Sequence, residues 1–189
     1  MSAAEVNPNL LRTATDIGRP IHLSSKARAL LADGQTPIAY LRLLVEQGHY
    51  LDALPFLAHG MLPREAVWWA CLCARHAAGE TMPPNERAAL FAALAWVIEP
   101  SAANQQAART AGHEATFKTP AGCAAQSAYW NGAANVVAAA RMTAASVLLA
   151  AARVPTPDRS WTYRQFIALA LDVDCGLNTW REKGSEKTP

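Results

Sequence analysis

Apolar residues recur along this chain at three- and four-residue intervals, and proline or glycine cuts each series, so the pattern predicts helices joined by short connections. Thr36 followed by Pro37 reads as a capping residue and a first-turn proline, and Ile38, Leu41, Leu44 and Val45 then repeat at helical spacing as far as Gly48. A second series, Tyr50, Leu51, Leu54, Phe56 and Leu57, is interrupted by Pro55 and stops at Gly60. Pro63 opens a helix to Ala78, closed by Gly79. Between Ala66 and Ala74 that helix is apolar on every face, which predicts a central position with other helices around it. Pro83-Pro84 starts the next, with Leu90, Leu94, Val97 and Ile98 in one stripe, Phe91 beside it, and an end near Pro100.

Ser101 caps a more polar helix to about Gly112, after which His113 to Lys118 read as a loop. Thr119-Pro120 starts an alanine-rich helix through Trp130 that Asn131-Gly132 should break, and Ala133 to Ala152 gives one long helix or two shorter ones. Small side chains let helices approach closely, so these alanine tracts are expected to pack tightly and not to offer a broad binding face. A proline-rich loop, Val154-Pro155-Thr156-Pro157, precedes a last helix from about Thr162 to Cys175, which carries Phe166, Leu169, Ala170 and Val173 on one side and ends at Gly176. Near the start of the chain, Ser24 and Ser25 cap a short helix through Asp33.

Residues 1–22 contain Asn7-Pro8-Asn9 and Gly18-Arg19-Pro20 and show no sustained period; they are expected to form an extended N-terminal arm. Residues 181–189 are charged and are expected to form a disordered tail. Strand-length alternation and fixed-period repeats are absent from the pattern. The expected architecture is therefore all-α, a compact single-domain helical bundle of about seven to nine helices over residues 23–180.

Composition sharpens this picture. With 51% hydrophobic and 17% charged residues the chain is too apolar for disorder throughout. The 17 basic and 15 acidic residues leave a net charge of +2 and form no basic stripe, which argues against nucleic acid as a partner. The start, Met1-Ser2-Ala3-Ala4-Glu5, lacks the basic and apolar regions of a signal peptide, and the most apolar run, Thr143 to Ala152, is too short to span a bilayer. No membrane partner is expected. Cys71, Cys73, Cys123 and Cys175 are too few and too irregular for a disulfide framework; they read as reduced thiols in a cytoplasmic protein.

Candidate chemistry is sparse. Cys71 and Cys73 are two apart, which turns their sulfurs roughly 200° from one another around a helix, so they cannot share a metal. Cys73 and His76 do face one way, but no second spaced pair completes a zinc site with His113 or Cys123, and buried structural thiols are the expectation. Cys123 meeting His59 or His113 lacks any local nucleophile motif, and Asp172 and Asp174 point to different faces. Glu65 sits one turn from Trp68 and Trp69, where burial would raise its pKa, although a first-turn glutamate ordinarily serves the helix dipole. The six tryptophans, at positions 68, 69, 96, 130, 161 and 180, are expected mainly in the core; adjacent Trp68 and Trp69 cannot both face the same helix, so one is expected to line a groove or interface. No catalytic residue, metal ligand or cofactor site is expected.

The segment Arg64-Glu65-Ala66-Val67-Trp68-Trp69-Ala70-Cys71 resembles the main motif of an uncharacterised, largely proteobacterial family, a domain of unknown function. Tyr129-Trp130-Asn131-Gly132 is similar to its middle aromatic and glycine stretch. Tyr163-Arg164-Gln165-Phe166 with Leu169-Ala170-Leu171-Asp172-Val173, Gly176 and Trp180 is similar to its C-terminal pattern. The chain departs from the family where Ala133-Ala134-Asn135 runs straight into an alanine-rich helix. The resemblance implies an accessory role beside type VI secretion genes for spike, PAAR-like and effector components, and it implies no reaction.

The leading expectation is a non-enzymatic adaptor or chaperone for an effector or spike component, binding through a groove at Glu65, Trp68, Trp69 and Trp130, with the N-terminal arm as an added contact. Its rivals are an immunity protein that neutralises a co-encoded toxin and an enzyme or effector whose site forms only in the fold. The residues leave the oligomeric state open.

Overall fold

The computed structural model describes residues 12–79 and 81–177; the expected tail and positions 1–11 of the expected arm lie outside these. The described residues form ten helices, two of them single turns: α1 (Ala14–Gly18), α2 (Ser25–Ala29), α3 (Pro37–Glu46), α4 (Tyr50–Gly60), α5 (Pro63–Ala78), α6 (Pro84–Ile98), α7 (Ala102–Ala115), α8 (Pro120–Gly132), α9 (Val136–Arg153) and α10 (Arg159–Asp174). Among them there is no strand, and the fold is the expected compact helical one.

Local chemistry sets most boundaries. Thr36, Ser101, Thr119 and Asn135 each accept a backbone N–H of the first helical turn, which satisfies one of the donors that a helix start leaves unpaired. Pro37, Pro63, Pro84 and Pro120 sit in the first turn, where no N–H is needed. Pro55 lies inside α4 and removes one rung, but the helix continues to Gly60 because its residues are held in the core.

Several expectations change, among them the short helix after Ser24, which ends at Ala29 and not at Asp33. Residues 14–18, placed in the extended arm, form a helical turn: Thr13 and Asp16 make a capping box, and Ile17 and Ile21 are buried. A five-residue turn is too short to set up a visible period, which is why the segment reads as irregular. Gly112 does not end α7, which runs on to Ala115. A Cβ at Gly112 would lie 2.7 Å from the Gln126 side chain and 3.1 Å from the Gly122 carbonyl, so this glycine permits a close crossing with α8 and is not a stop signal.

The core has two parts. Around α8 and α9 it is built from alanines, with residues 120–128 all buried, and is pinned by hydroxyls: Ser127 Oγ donates to the Ala139 carbonyl at 3.0 Å and lies 2.8 Å from Thr143, and Ser146 Oγ donates to Pro120 at 2.7 Å. Elsewhere larger groups fill it. Tyr40 packs edge-on to Phe56 with centroids 4.9 Å apart, and its hydroxyl donates to the Ala27 carbonyl. α9 is 18 residues long and by length and composition apolar enough to cross a membrane, longer than the apolar run marked in the sequence. Here it packs against α4, α5, α8 and α10, and 44% of it is buried. α5 holds the expected central place, touching α6, α8, α9 and α10.

Candidate functional site

α5 and α6 run antiparallel. They are tied at one end by Arg64, whose Nε donates to the Val97 carbonyl at 2.8 Å and whose Nη2 donates to Ile98 at 3.2 Å. Each helix turns a strip of residues spaced i, i+3, i+4, i+7 towards a shared groove. From α5 these are Trp68, Cys71, Leu72 and Arg75; from α6 they are Arg87, Leu90, Phe91 and Leu94. This spacing keeps four side chains on one helix face. The groove has a volume of about 490 Å3 and opens to solvent. Its floor is apolar, Phe91 on its edge is 61% exposed, and Trp68 is half-buried.

α6 is thus apolar on two sides. Ala89, Ala93, Trp96 and Val97 enter the core, whereas Phe91 and Leu94 face the groove. The complete apolar girdle of α5 has the same cause: the core takes most of it and the groove takes the strip through Trp68 and Leu72. Arg75 and Arg87 stand at the turn end, both exposed, each steadied by one long hydrogen bond to a turn carbonyl, from Arg75 to Gly79 and from Arg87 to Met82, both at 3.3 Å. Among the described lining residues none is acidic.

Of the four side chains expected at the groove, only Trp68 lines it. Trp69 is fully buried, and its Nε1 donates to the Phe166 carbonyl on α10 at 2.8 Å; adjacent residues lie about 100° apart on a helix, so one faces the groove and the other the core. Trp130 is half-buried at the end of α8, against Tyr129, and does not line the groove. Glu65 also lies outside it. Its carboxylate sits in the first turn of α5, with Oε2 buried and without a partner. Burial pushes the Glu65 pKa up, and the Asp174 carboxylate adds to the rise. Sequence reasoning does not place Cys71, Leu72, Arg75, Arg87, Leu90, Phe91 or Leu94 at the groove. Their signal was a pair of matching strips on neighbouring helices, legible only once the two helices are known to be antiparallel partners.

Three of the four thiols are buried, and Cys175 is exposed. Cys71 and Cys73 are buried and their pKa values are pushed well up, and that of Cys123 is raised to about 11, also by burial, while its thiol donates to the Phe117 carbonyl. Among the described residues no three His, Cys, Asp or Glu side chains gather where one metal ion would fit. A second cavity, about 510 Å3, lies between α1, α3, α4 and the end of α10, with Ile17, Leu41, Phe56 and Met61 in its wall and Arg12 and Asp174 at its polar edge.

The fold defines an all-α helical domain, and between α5 and α6 it carries an apolar groove with two arginines at one end. The chain is a member of the DUF6931 family, a family of unknown function, whose profile matches residues 40–174. All of α5 and α6 lies within the match. No curated protein and no solved structure matches the chain. Membership agrees with the resemblance to an uncharacterised domain family.

Proposed function

We propose that this protein is a non-enzymatic binding protein that holds a protein partner in the α5–α6 groove, as an adaptor or chaperone for an effector or a spike or PAAR-like component of type VI secretion. The groove is the observation that carries the reading: two facing strips with an exposed phenylalanine at the edge make a surface that gains by being covered. The secretion context rests on the resemblance of the three sequence segments.

The test is purification of the tagged full chain from its native host beside Phe91→Ser and Leu72→Ser variants. Phe91 is exposed, so its substitution leaves the thermal melt within about 0.5 kcal/mol of the parent. The expected result is a secretion component recovered with the parent and depleted at least about tenfold with Phe91→Ser. Equal recovery with both folded variants rejects the groove as the binding site.

A further inference from the structure

We infer that the occupant of the α5–α6 groove is an amphipathic helix of the partner, seated by its apolar face on Leu72, Phe91 and Leu94 and carrying acidic side chains to Arg75 and Arg87. The inference rests on the binding-protein reading above and adds the shape and charge of what is bound.

Backbone satisfaction selects a helix. An extended segment laid in the groove would bring its N–H and C=O groups against a floor of apolar side chains, and a buried unpaired amide costs free energy. Sheet edges relieve that cost for strand-binding proteins, and the described residues contain no strand. A helix pairs its own backbone and needs from its host only a furrow for one row of side chains. Two antiparallel helices with strips at i, i+3, i+4, i+7 form such a furrow, and a third helix lays its ridge between them. The volume of about 490 Å3 accommodates side chains along one helix face while leaving the backbone outside.

Charge sets the chemistry and the direction. Arg75 and Arg87 are exposed at the same end, their hydrogen bonds to turn carbonyls are long at 3.3 Å, and no described lining residue opposes them. Guanidinium groups pair with carboxylates through two parallel hydrogen bonds, so the complementary helix is acidic at the end lying over the α5–α6 turn. A basic helix would meet repulsion there, and an uncharged acyl chain would leave both arginines unused.

The experiment places a photoreactive phenylalanine analogue, which keeps the aromatic ring, at Phe91, and separately a photoreactive amino acid at Ile38 in the wall of the second cavity, in the full chain expressed in its native host. Crosslinked segments are mapped by mass spectrometry. The expected result is a partner segment crosslinked from Phe91 with apolar residues at helical spacing and aspartate or glutamate at one end. That segment as a synthetic peptide should bind the purified chain, lose at least about tenfold in affinity to Arg75→Glu/Arg87→Glu, and regain it when its acidic residues are replaced by lysine. A Phe91 crosslink to a segment without acidic residues, to a second copy of this chain or to lipid overturns the inference, as does indifference to the charge reversal. Crosslinks from Ile38 alone show a binding protein that does not use this groove. Absence of any crosslink from both positions rejects the binding-protein reading itself.

Discussion

The indole Nε1 of Trp69 donates to the backbone carbonyl of Phe166, 2.8 Å away and 97 residues further along the chain. Both residues are fully buried, so the bond fastens central α5 to the last helix at a point water does not reach. Trp69→Phe keeps most of the volume and removes the donor; the expected loss is about 1 kcal/mol, the net value of an internal hydrogen bond. Trp69→Ala adds a cavity and should cost about 3–5 kcal/mol. Urea unfolding measures both, and a Trp69→Phe loss as large as that of Trp69→Ala would show that the bond outweighs the packing.

Glu86 and Arg153 join α6 to the end of α9 by two parallel hydrogen bonds of 2.6 and 3.0 Å. The glutamate side chain is only 6% exposed, whereas the arginine is 36% exposed. The pair is therefore asymmetric. Arg153→Ala strands a buried carboxylate and should cost about 3 kcal/mol or more, while Glu86→Leu/Arg153→Met removes both charges and should recover much of that loss. Denaturation of the two variants at neutral pH decides it: equal losses would mean that the pair itself, not the stranded charge, supplies the stability.

How far the sequence discloses this fold depends on whether one helix suffices for the reading. The caps at Thr36, Ser101 and Thr119, and the bounds of α5 from Pro63 to Gly79, rest on neighbours in sequence, and the structure has them as expected. Gly112 misleads because its role lies in another helix. The same holds at the site: Trp68 was legible from the doubled tryptophan, but which of the two enters the core depends on Phe166, and the charge at the groove end depends on Arg75 and Arg87 meeting across a turn. Glu65, one turn from the tryptophan pair, and Trp130, on another helix, are candidates in the sequence, and neither lines the groove.

Glu65 has one buried oxygen without a partner and faces the charge of Asp174, and its pKa is raised from the ordinary 4.5, first by burial and then by that charge. A carboxyl that binds its proton more tightly in the folded chain costs stability once it ionises, so the cost is present above the folded pKa and fades as pH falls towards 4.5. Glu65→Gln should thus unfold at higher urea than the parent at pH 7, and the two curves should converge below pH 4.5. A constant difference at all pH values would assign the effect to packing.

His59 shows the opposite sign. Its Nε2 is buried without a partner, its Nδ1 lies 2.9 Å from the Pro55 carbonyl, and burial, with the charges of Arg141 and Arg12, lowers its pKa from the ordinary 6.5. The unfolded chain takes up the proton first, so stability falls as pH drops below 6.5 and the loss ends only beneath the folded pKa. His59→Gln should flatten this part of the stability profile. Thermal melts at steps between pH 7 and 5 provide the comparison, and an unchanged slope would place the proton elsewhere.

Gly112 and Gly122 face each other across the α7–α8 crossing, but they do not tolerate a methyl group equally. At Gly122 a Cβ would fall 2.0 Å from the Thr116 carbonyl oxygen, a backbone atom in a turn whose Thr116 φ is already positive at 65°, so relief requires that the turn itself move. At Gly112 the nearest obstacle is Gln126 Nε2 at 2.7 Å, the end of a side chain that can swing away after giving up its 3.0 Å hydrogen bond to the Arg109 carbonyl. Alanine also gains about 1 kcal/mol over glycine inside a helix, and that gain offsets part of the lost bond only at Gly112. Gly122→Ala should therefore destabilise by about 3 kcal/mol or more and Gly112→Ala by about 1 kcal/mol. If thermal melts rank the two the other way, the tight contact between α8 and the turn at Thr116 is not what holds this corner together.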